Sequence, residues 1–195
     1  MPIRQARSGI SKYELKRRTK RLDEEGASSF ALLGPGDPGI AEAVEALAGF
    51  QRSRFDAMGA KTSLFDEHFA RFRELQATSD PHSRVATLRL DGQIIAVSLH
   101  AVFRGRLYCF APGFDNRFAR FSPGVLLRGF VIRSCYENGW DPCDFGWGDE
   151  AYKYRWTAQA AKLTTFAGAG VAGSVLAAGM NSRRAVVEAL GRLRG

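Results

Sequence analysis

The residues Asp144 to Trp156, DFGWGDEAYKYRW, crowd glycines, tryptophans, tyrosines, acids and bases into one short segment. Neither an ordinary core nor a solvated face needs that mixture. A carboxylate can take a proton or hold an amine, a phenol can give a proton, and an ammonium can neutralise developing negative charge. Asp149, Lys153 and Tyr152 are therefore candidate catalytic groups, and Glu150 and Trp156 candidate substrate contacts. The structural alternative is a latch, in which Asp149 pairs with Lys153 or Arg155 while Trp147 and Trp156 pack. A second cluster lies upstream in FDNRFARFSPG, residues 114–124. Ser122 reads as an N-cap with Pro123 at the first helical position. A helix start flanked by Arg117 and Arg120, with Gly124 in its first turn, is a candidate anion site. Its alternative is a plain Ser-Pro helix start with two solvated arginines.

The elements that must position these groups follow from periodicity. Residues 11–26 read as a helix with Ser11 as N-cap, Glu14 at the capping-box position and Gly26 at the stop. SSFALL (28–33) reads as a strand, and 40–58 and 65–76 as amphipathic helices. Residues 84–90, 93–103 and 106–112 alternate with period two, broken at Asp91-Gly92 and Arg104-Gly105, and predict an antiparallel meander. In its middle strand Ile95, Val97, Leu99, Ala101 and Phe103 are expected on one buried face. His100 lies on the other, as a base toward a cleft or as a satisfied sheet histidine. A helix from Pro123 to Asn138, the strand DPCDFG, a strand over 161–168 and a helix over 182–194 complete the order. The class is α/β, an α+β mixed sheet with an antiparallel meander, a crossover helix and flanking helices. Both chemistry-bearing clusters fall at carboxyl ends of strands, where open α/β sheets bind ligands.

The chain has 195 residues, 45% of them apolar, which suits one domain with a real core. Its net charge of +8 is uneven: residues 1–22 carry eight Lys/Arg against the single acid Glu14, and residues 23–195 net only one positive charge. The excess belongs to this leading arm and not to the body, and with only Tyr13 as a nearby aromatic a nucleic-acid surface is disfavoured. The longest apolar-leaning run, 167–180, is too short to span a bilayer. No signal peptide is recognisable, and the odd set Cys109, Cys135 and Cys143 lacks both disulfide-framework and zinc spacing. No metal is expected, and a reducing cytoplasm is the expected compartment. GAGVAG (168–173) and GWGDEA (146–151) match dinucleotide-binding glycine patterns only formally. Too little chain follows the first for a βαβ unit, and the second lacks the downstream ribose-binding acid.

The meander, loop, helix and strand leading into FGWGDEAYKYRW resemble the GNAT acyltransferase superfamily, in particular its CelD-like (cellulose-biosynthesis-type) branch, related to Fem-type aminoacyl transferases. Asp144, Phe145, Gly146, Gly148, Asp149, Tyr152, Lys153 and Trp156 match one motif of that branch. Gly113, Phe114, Asp115, Ala119, Ser122, Pro123, Gly124, Leu126 and Leu127 match the other. The resemblance runs from about residue 11 to 168, leaving 1–10 as a tail and 169–195 as a small-residue bend and C-terminal helix. It implies an N-acyltransferase, in the simplest case an acetyltransferase, with acetyl-CoA or another acyl-CoA as co-substrate. Arg117, Arg120, Ser122 and Gly124 would hold coenzyme A phosphates, and the acceptor would be an amine on a small molecule or glycan precursor. Pro123 stands where the superfamily's phosphate loop has a glycine, which removes one amide donor. Members usually carry a preceding GNAT-like half, so a second half or a homo-oligomer is an expected partner. A non-catalytic binding or scaffold module and a Fem-like transferase using aminoacyl-tRNA are the alternative readings.

Overall fold

The computed structural model describes residues 10–59, 67–146, 148 and 150–157. The expected strand at 161–168, the C-terminal helix and the tail before residue 10 lie outside the described residues, as do Trp147 and Asp149.

Helix α1 (Lys12–Asp23) starts at Ser11, whose hydroxyl accepts from Glu14 N at 3.1 Å. Strand β1 (Ser28–Leu33) follows, then α2 (Ile40–Ala57) and α3 (Glu67–Ser79). The meander is β2 (Ser83–Leu90), β3 (Gln93–Phe103) and β4 (Arg106–Phe114). A 3-10 turn over Asn116–Phe121 leads into α4 (Pro123–Glu137), and β5 (Asp141–Asp144) closes the order before a short 3-10 turn at Lys153–Arg155. The five strands form one sheet in the order β1-β2-β3-β4-β5, antiparallel except for the last pair. The β4-α4-β5 crossover makes that pair parallel, as the sequence order predicts.

The sheet is covered on both faces. On one, Ile40, Ala43, Val44 and Leu47 of α2 and Ala77 of α3 pack on Val85, Val97 and Leu99. On the other, Leu126, Leu127 and Val131 of α4 and Leu22 of α1 pack on Ala86, Leu88 and Leu107. Gly129 lets α1 approach α4 closely: a Cβ there would sit 2.8 Å from a Leu15 methyl.

One sequence expectation fails in β3, and the reason is local. Leu88 pairs with Ala96 and Arg89 with Ile94, so Ile95 is an extra residue with no partner on β2. Such a bulge resets alternation. Ile95 therefore packs with the α4 cluster, and Ile94 takes its place beside Val97 and Leu99 on the α2 side. Phe103, expected in the buried face, ends the strand 47% exposed. A second bulge lies opposite: Leu99 pairs with Ala111 and His100 with Cys109, leaving Phe110 of β4 unpaired.

Candidate active site

Strand β5 is short. It pairs with β4 only at Arg106–Asp141 and Tyr108–Asp144, with a register shift between them. Beyond Tyr108, β4 runs on to Phe114 while the chain after β5 turns away. The turn needs Gly146: its φ is +70°, and a Cβ there would lie 3.0 Å from Cys109 O. Asp144 holds the turn by accepting from Gly146 N at 2.8 Å.

A cavity of about 380 Å³ opens where the two strands part. Its walls come from β3 (Val97 to His100), β4 (Cys109 to Phe114), α4 (Ser122 to Val131) and the loop after β5 (Phe145, Tyr152, Arg155, Trp156), with Phe50, Gln51 and Arg54 of α2 at its side. The two clusters singled out in the sequence thus share one hollow.

The candidate residues divide. Ser122, Gly124, His100, Tyr152 and Trp156 line the cavity. Arg117, Arg120, Glu150 and Lys153 do not. Arg117 turns back on Asp115 at 2.6 Å, and its guanidinium holds that carboxyl below the ordinary aspartate range. Arg120 pairs with Glu25 at 2.6 Å. Each of the two arginines flanking the helix start thus lies against a nearby carboxylate. Lys153 is only 8% exposed, donates to Gly146 O (3.1 Å) and Gly148 O (3.3 Å), and pairs with Glu150 at 2.8 Å. It ties the loop's glycines together outside the cavity lining, through partners other than the Asp149 named in the sequence alternative. Asp149, the other candidate catalytic group, lies outside the described residues.

Ser122 occupies the N-cap position of α4, yet its side chain makes no capping bond. Its φ is +56°, a left-handed conformation that a non-glycine residue adopts only under constraint. Arg18 donates to Ser122 Oγ at 2.6 Å. Arg18 also pairs with Glu14 at 2.7 Å, and Glu14 accepts from Arg155 at 3.3 Å. One polar chain therefore joins the Ser-Pro turn to the loop after β5 by way of α1. Ile10 N reinforces it by donating to Arg155 O at 2.9 Å. In the sequence Arg18 is one cation in a basic run; only its packing separates it from Lys16 and Arg17.

Arg128 was also missed. It lines the cavity two turns into α4 and lies over the rings of Tyr152 at 4.3 Å and Phe145 at 5.5 Å. His100 is 5% exposed; its Nε2 lies 2.7 Å from Ser98 Oγ, and its Nδ1 has no hydrogen-bond partner. Ser98 lines the cavity too. Cys109 Sγ lies 3.0 Å from Cys143 Sγ, and the hydrogen bond from Cys143, aided by His100 and Arg128, brings the Cys109 thiol down to about 5. Among the described residues no group of three or more His, Cys, Asp and Glu side chains could hold a metal ion.

A mixed sheet that parts between parallel strands, with a helix start at the parting, defines a class of ligand-binding α/β domain. Residues 11–154 match the family model described as "Acetyltransferase (GNAT) domain", and the chain belongs to that family. GNAT acetyltransferases use acetyl-CoA as acyl donor. Solved structures agree at the level of the fold. A GNAT family acetyltransferase from Staphylococcus aureus subsp. aureus USA300_TCH1516 is similar over 72% of this chain and 98% of its own, at 14% identity and a TM-score of 0.51. The C-terminal domain (DUF2156) of a putative lysylphosphatidylglycerol synthetase from Agrobacterium fabrum is similar over 68% of this chain and 40% of its own, at 16% identity and a TM-score of 0.50. No curated protein matches the chain significantly. No helix among the described residues is long and apolar enough to cross a membrane.

Proposed function

We propose that this chain transfers an acyl group, in the simplest case acetyl, from acyl-CoA to an amine, in the cavity between β4 and β5. One observation carries the reading: the Ser122–Gly124 turn and the Tyr152–Trp156 loop line the same hollow.

The residues suit a phosphate-bearing donor, with fewer amides than a glycine-rich loop offers. Pro123 has no N–H, and the amides of Val125 and Leu126 are taken up by Ser122 O at 2.9 and 3.2 Å. The anion contacts assigned to this chain are therefore Gly124 N–H, the Ser122 hydroxyl and Arg18 behind it, with the helix dipole adding to them. The donor, when bound, supplies an electrophilic thioester carbonyl. Ser98 and His100 form a two-member relay that takes a proton from the acceptor amine. Tyr152, held by Arg128, returns one to the leaving thiolate. Trp156 and Phe145 exclude water from the hollow. Lys153 and Glu150 act as positioning residues for the loop, and Asp149 stays a candidate for amine binding. Arg117 and Arg120 keep a weaker claim, as outer contacts reached only if their carboxylate partners yield.

We place the chain in the CelD-like branch on its two motifs, with an amine on a sugar or polysaccharide precursor as acceptor. Phe110, 64% exposed beside the cavity, suits cover from a second GNAT-like half or a second copy. The test pairs acetyl-CoA binding, read as a rise in melting temperature, with mass detection of acylated products across a panel of amines. Binding with product, and a rate loss of about 10²-fold or more in Tyr152→Phe with binding retained, supports the reading. Binding without product for any amine leaves a binding module instead, and no binding ends the proposal. The exposed basic face of α1 (Lys16, Arg17, Lys20, Arg21) favours one second reading, a Fem-like transferase. Salt-sensitive tRNA binding lost on neutralising that face would select it.

A further inference from the structure

The sequence offered no role for its cysteines, and acyl transfer uses none of them. All three nevertheless meet. Cys109 on β4 and Cys143 on β5 approach to 3.0 Å across the parallel pair, at the point where the strands part. Cys135, buried on α4, stands close enough to Cys143 for the two thiols to influence each other's protonation. The three differ in access. Cys109 is half-buried and forms part of the cavity wall, Cys143 is half-buried behind it, and Cys135 is buried.

We propose that Cys109 and Cys143 form a thiol–disulfide exchange site, with Cys109 as the attacking thiol, Cys143 as the resolving thiol, and a small anionic disulfide such as glutathione disulfide as the oxidant entering through the cavity. The geometry assigns the order. Only Cys109 of the three faces the cavity, and Cys143 is already within reach of it. The surroundings also suit the attacker. Cys143 donates its S–H toward Cys109, and Arg128 and His100 stand beside that sulfur, so at neutral pH Cys109 is the thiolate and Cys143 the thiol. Burial and the Cys109 thiolate both hold the Cys143 proton on until Cys109 has reacted. Arg54, Arg128 and Arg155 line the same cavity and favour an anionic reagent.

The balance is that of ordinary exchange. The Cys109 thiolate attacks one sulfur of the reagent, the reagent's S–S bond breaks, and one glutathione thiolate leaves. Cys143 then loses its proton to the departing thiolate and attacks Cys109 Sγ. The mixed disulfide breaks and the second glutathione leaves. The two protein sulfurs are oxidised by two electrons, and one glutathione disulfide is reduced to one thiol and one thiolate, the latter taking its proton from solvent. The product links β4 to β5 beside the Gly146 turn and removes the charged sulfur from the cavity wall. The inference does not depend on the acyl-transfer reading, because each readout below counts thiols rather than turnover.

The experiment treats the reduced full chain with glutathione disulfide, quenches it with acid, alkylates it in denaturant and maps it by mass spectrometry. The expected product is a Cys109–Cys143 linked peptide with Cys135 alkylated. Cys143→Ser should stop at a single glutathione adduct on Cys109. Cys109→Ser should lower the rate of thiol loss about tenfold or more. Circular dichroism establishes that each variant is folded. Replacing the reagent with the cationic disulfide cystamine should slow the first step at equal concentration. Disulfide formation through Cys135, equal oxidation of Cys109→Ser, or no oxidation of the folded wild type would each overturn the assignment.

Discussion

The two halves of the sheet were built by different rules. From β1 to β3 every strand pairs along most of its length, and residues such as Leu88, Ile95 and Val97 are fully buried between helices. From β4 to β5 the pairing covers a few residues and then stops. The first half maximises buried apolar area and satisfies its backbone within the ladder. The second gives up ladder bonds beside β5 and obtains a cavity whose largely apolar wall carries a few polar groups. What replaces the missing ladder is a set of single contacts: Asp144 on Gly146 N, Lys153 on two glycine carbonyls, and the Arg155–Glu14–Arg18–Ser122 chain. Regular pairing spreads stability over many equivalent bonds, whereas the open half concentrates it in a few that single substitutions can remove.

That contrast can be broken deliberately. The largest loss is expected in the closed half: Leu88→Ala should lower unfolding free energy by about 2–5 kcal/mol while leaving ligand affinity of the folded protein unchanged. Denaturant melts with and without acetyl-CoA separate those effects. In the open half, Lys153→Met should cost less stability, about 1–3 kcal/mol from unsatisfied carbonyls, yet weaken acetyl-CoA binding by loosening the loop. If it leaves the loop and binding intact, the latch is not what holds that half together.

Arginines sharpen the comparison further. Arg18→Ala should weaken acetyl-CoA binding severalfold and reduce its salt dependence, because Arg18 lies on Ser122 at the cavity. Arg117→Ala should leave binding nearly as it is, since that side chain lies on Asp115 outside the lining. The reverse pattern would return the anion site to the assignment made from the sequence alone.

A pH dependence supplies a further test of the open half. A folded Cys109 thiol near 5, against an ordinary value of about 8.5, means that the unfolded chain binds the extra proton between those values. This contribution to stability is therefore complete above the ordinary thiol range and fades as pH falls toward 5. Thiolate absorbance in the far ultraviolet, titrated in wild type and in Cys109→Ser, should show the difference with a midpoint near pH 5. A midpoint above 8 would place the proton on Cys109 instead.

How legible the molecule was follows the same division. Hairpin breaks at Asp91-Gly92 and Arg104-Gly105, the Ser11 cap and the apolar rhythm of α2 and α4 are local signals, and strands and helices appeared where they pointed. The Ile95 bulge was not legible, because alternation in β3 looks uninterrupted and only the pairing with β2 shows the extra residue. The two motifs were visible as unusual mixtures, and their common cavity followed from the parallel crossover. Which arginine serves the cavity was not visible: Arg18, Arg117, Arg120 and Arg128 are alike in type, and their neighbours in space distinguish them.

From its residues alone this chain determined its element order through β5, its mixed sheet and the two segments that face the cavity, since each depends on contacts among near neighbours or on a repeat of apolar side chains. Only the tertiary structure decided that β5 stops short, that Lys153 lies behind the wall while His100 and Arg128 line it, and that three cysteines far apart in sequence meet at the parting of the strands. Those outcomes depend on distances between elements, which close packing sets and no local pattern records.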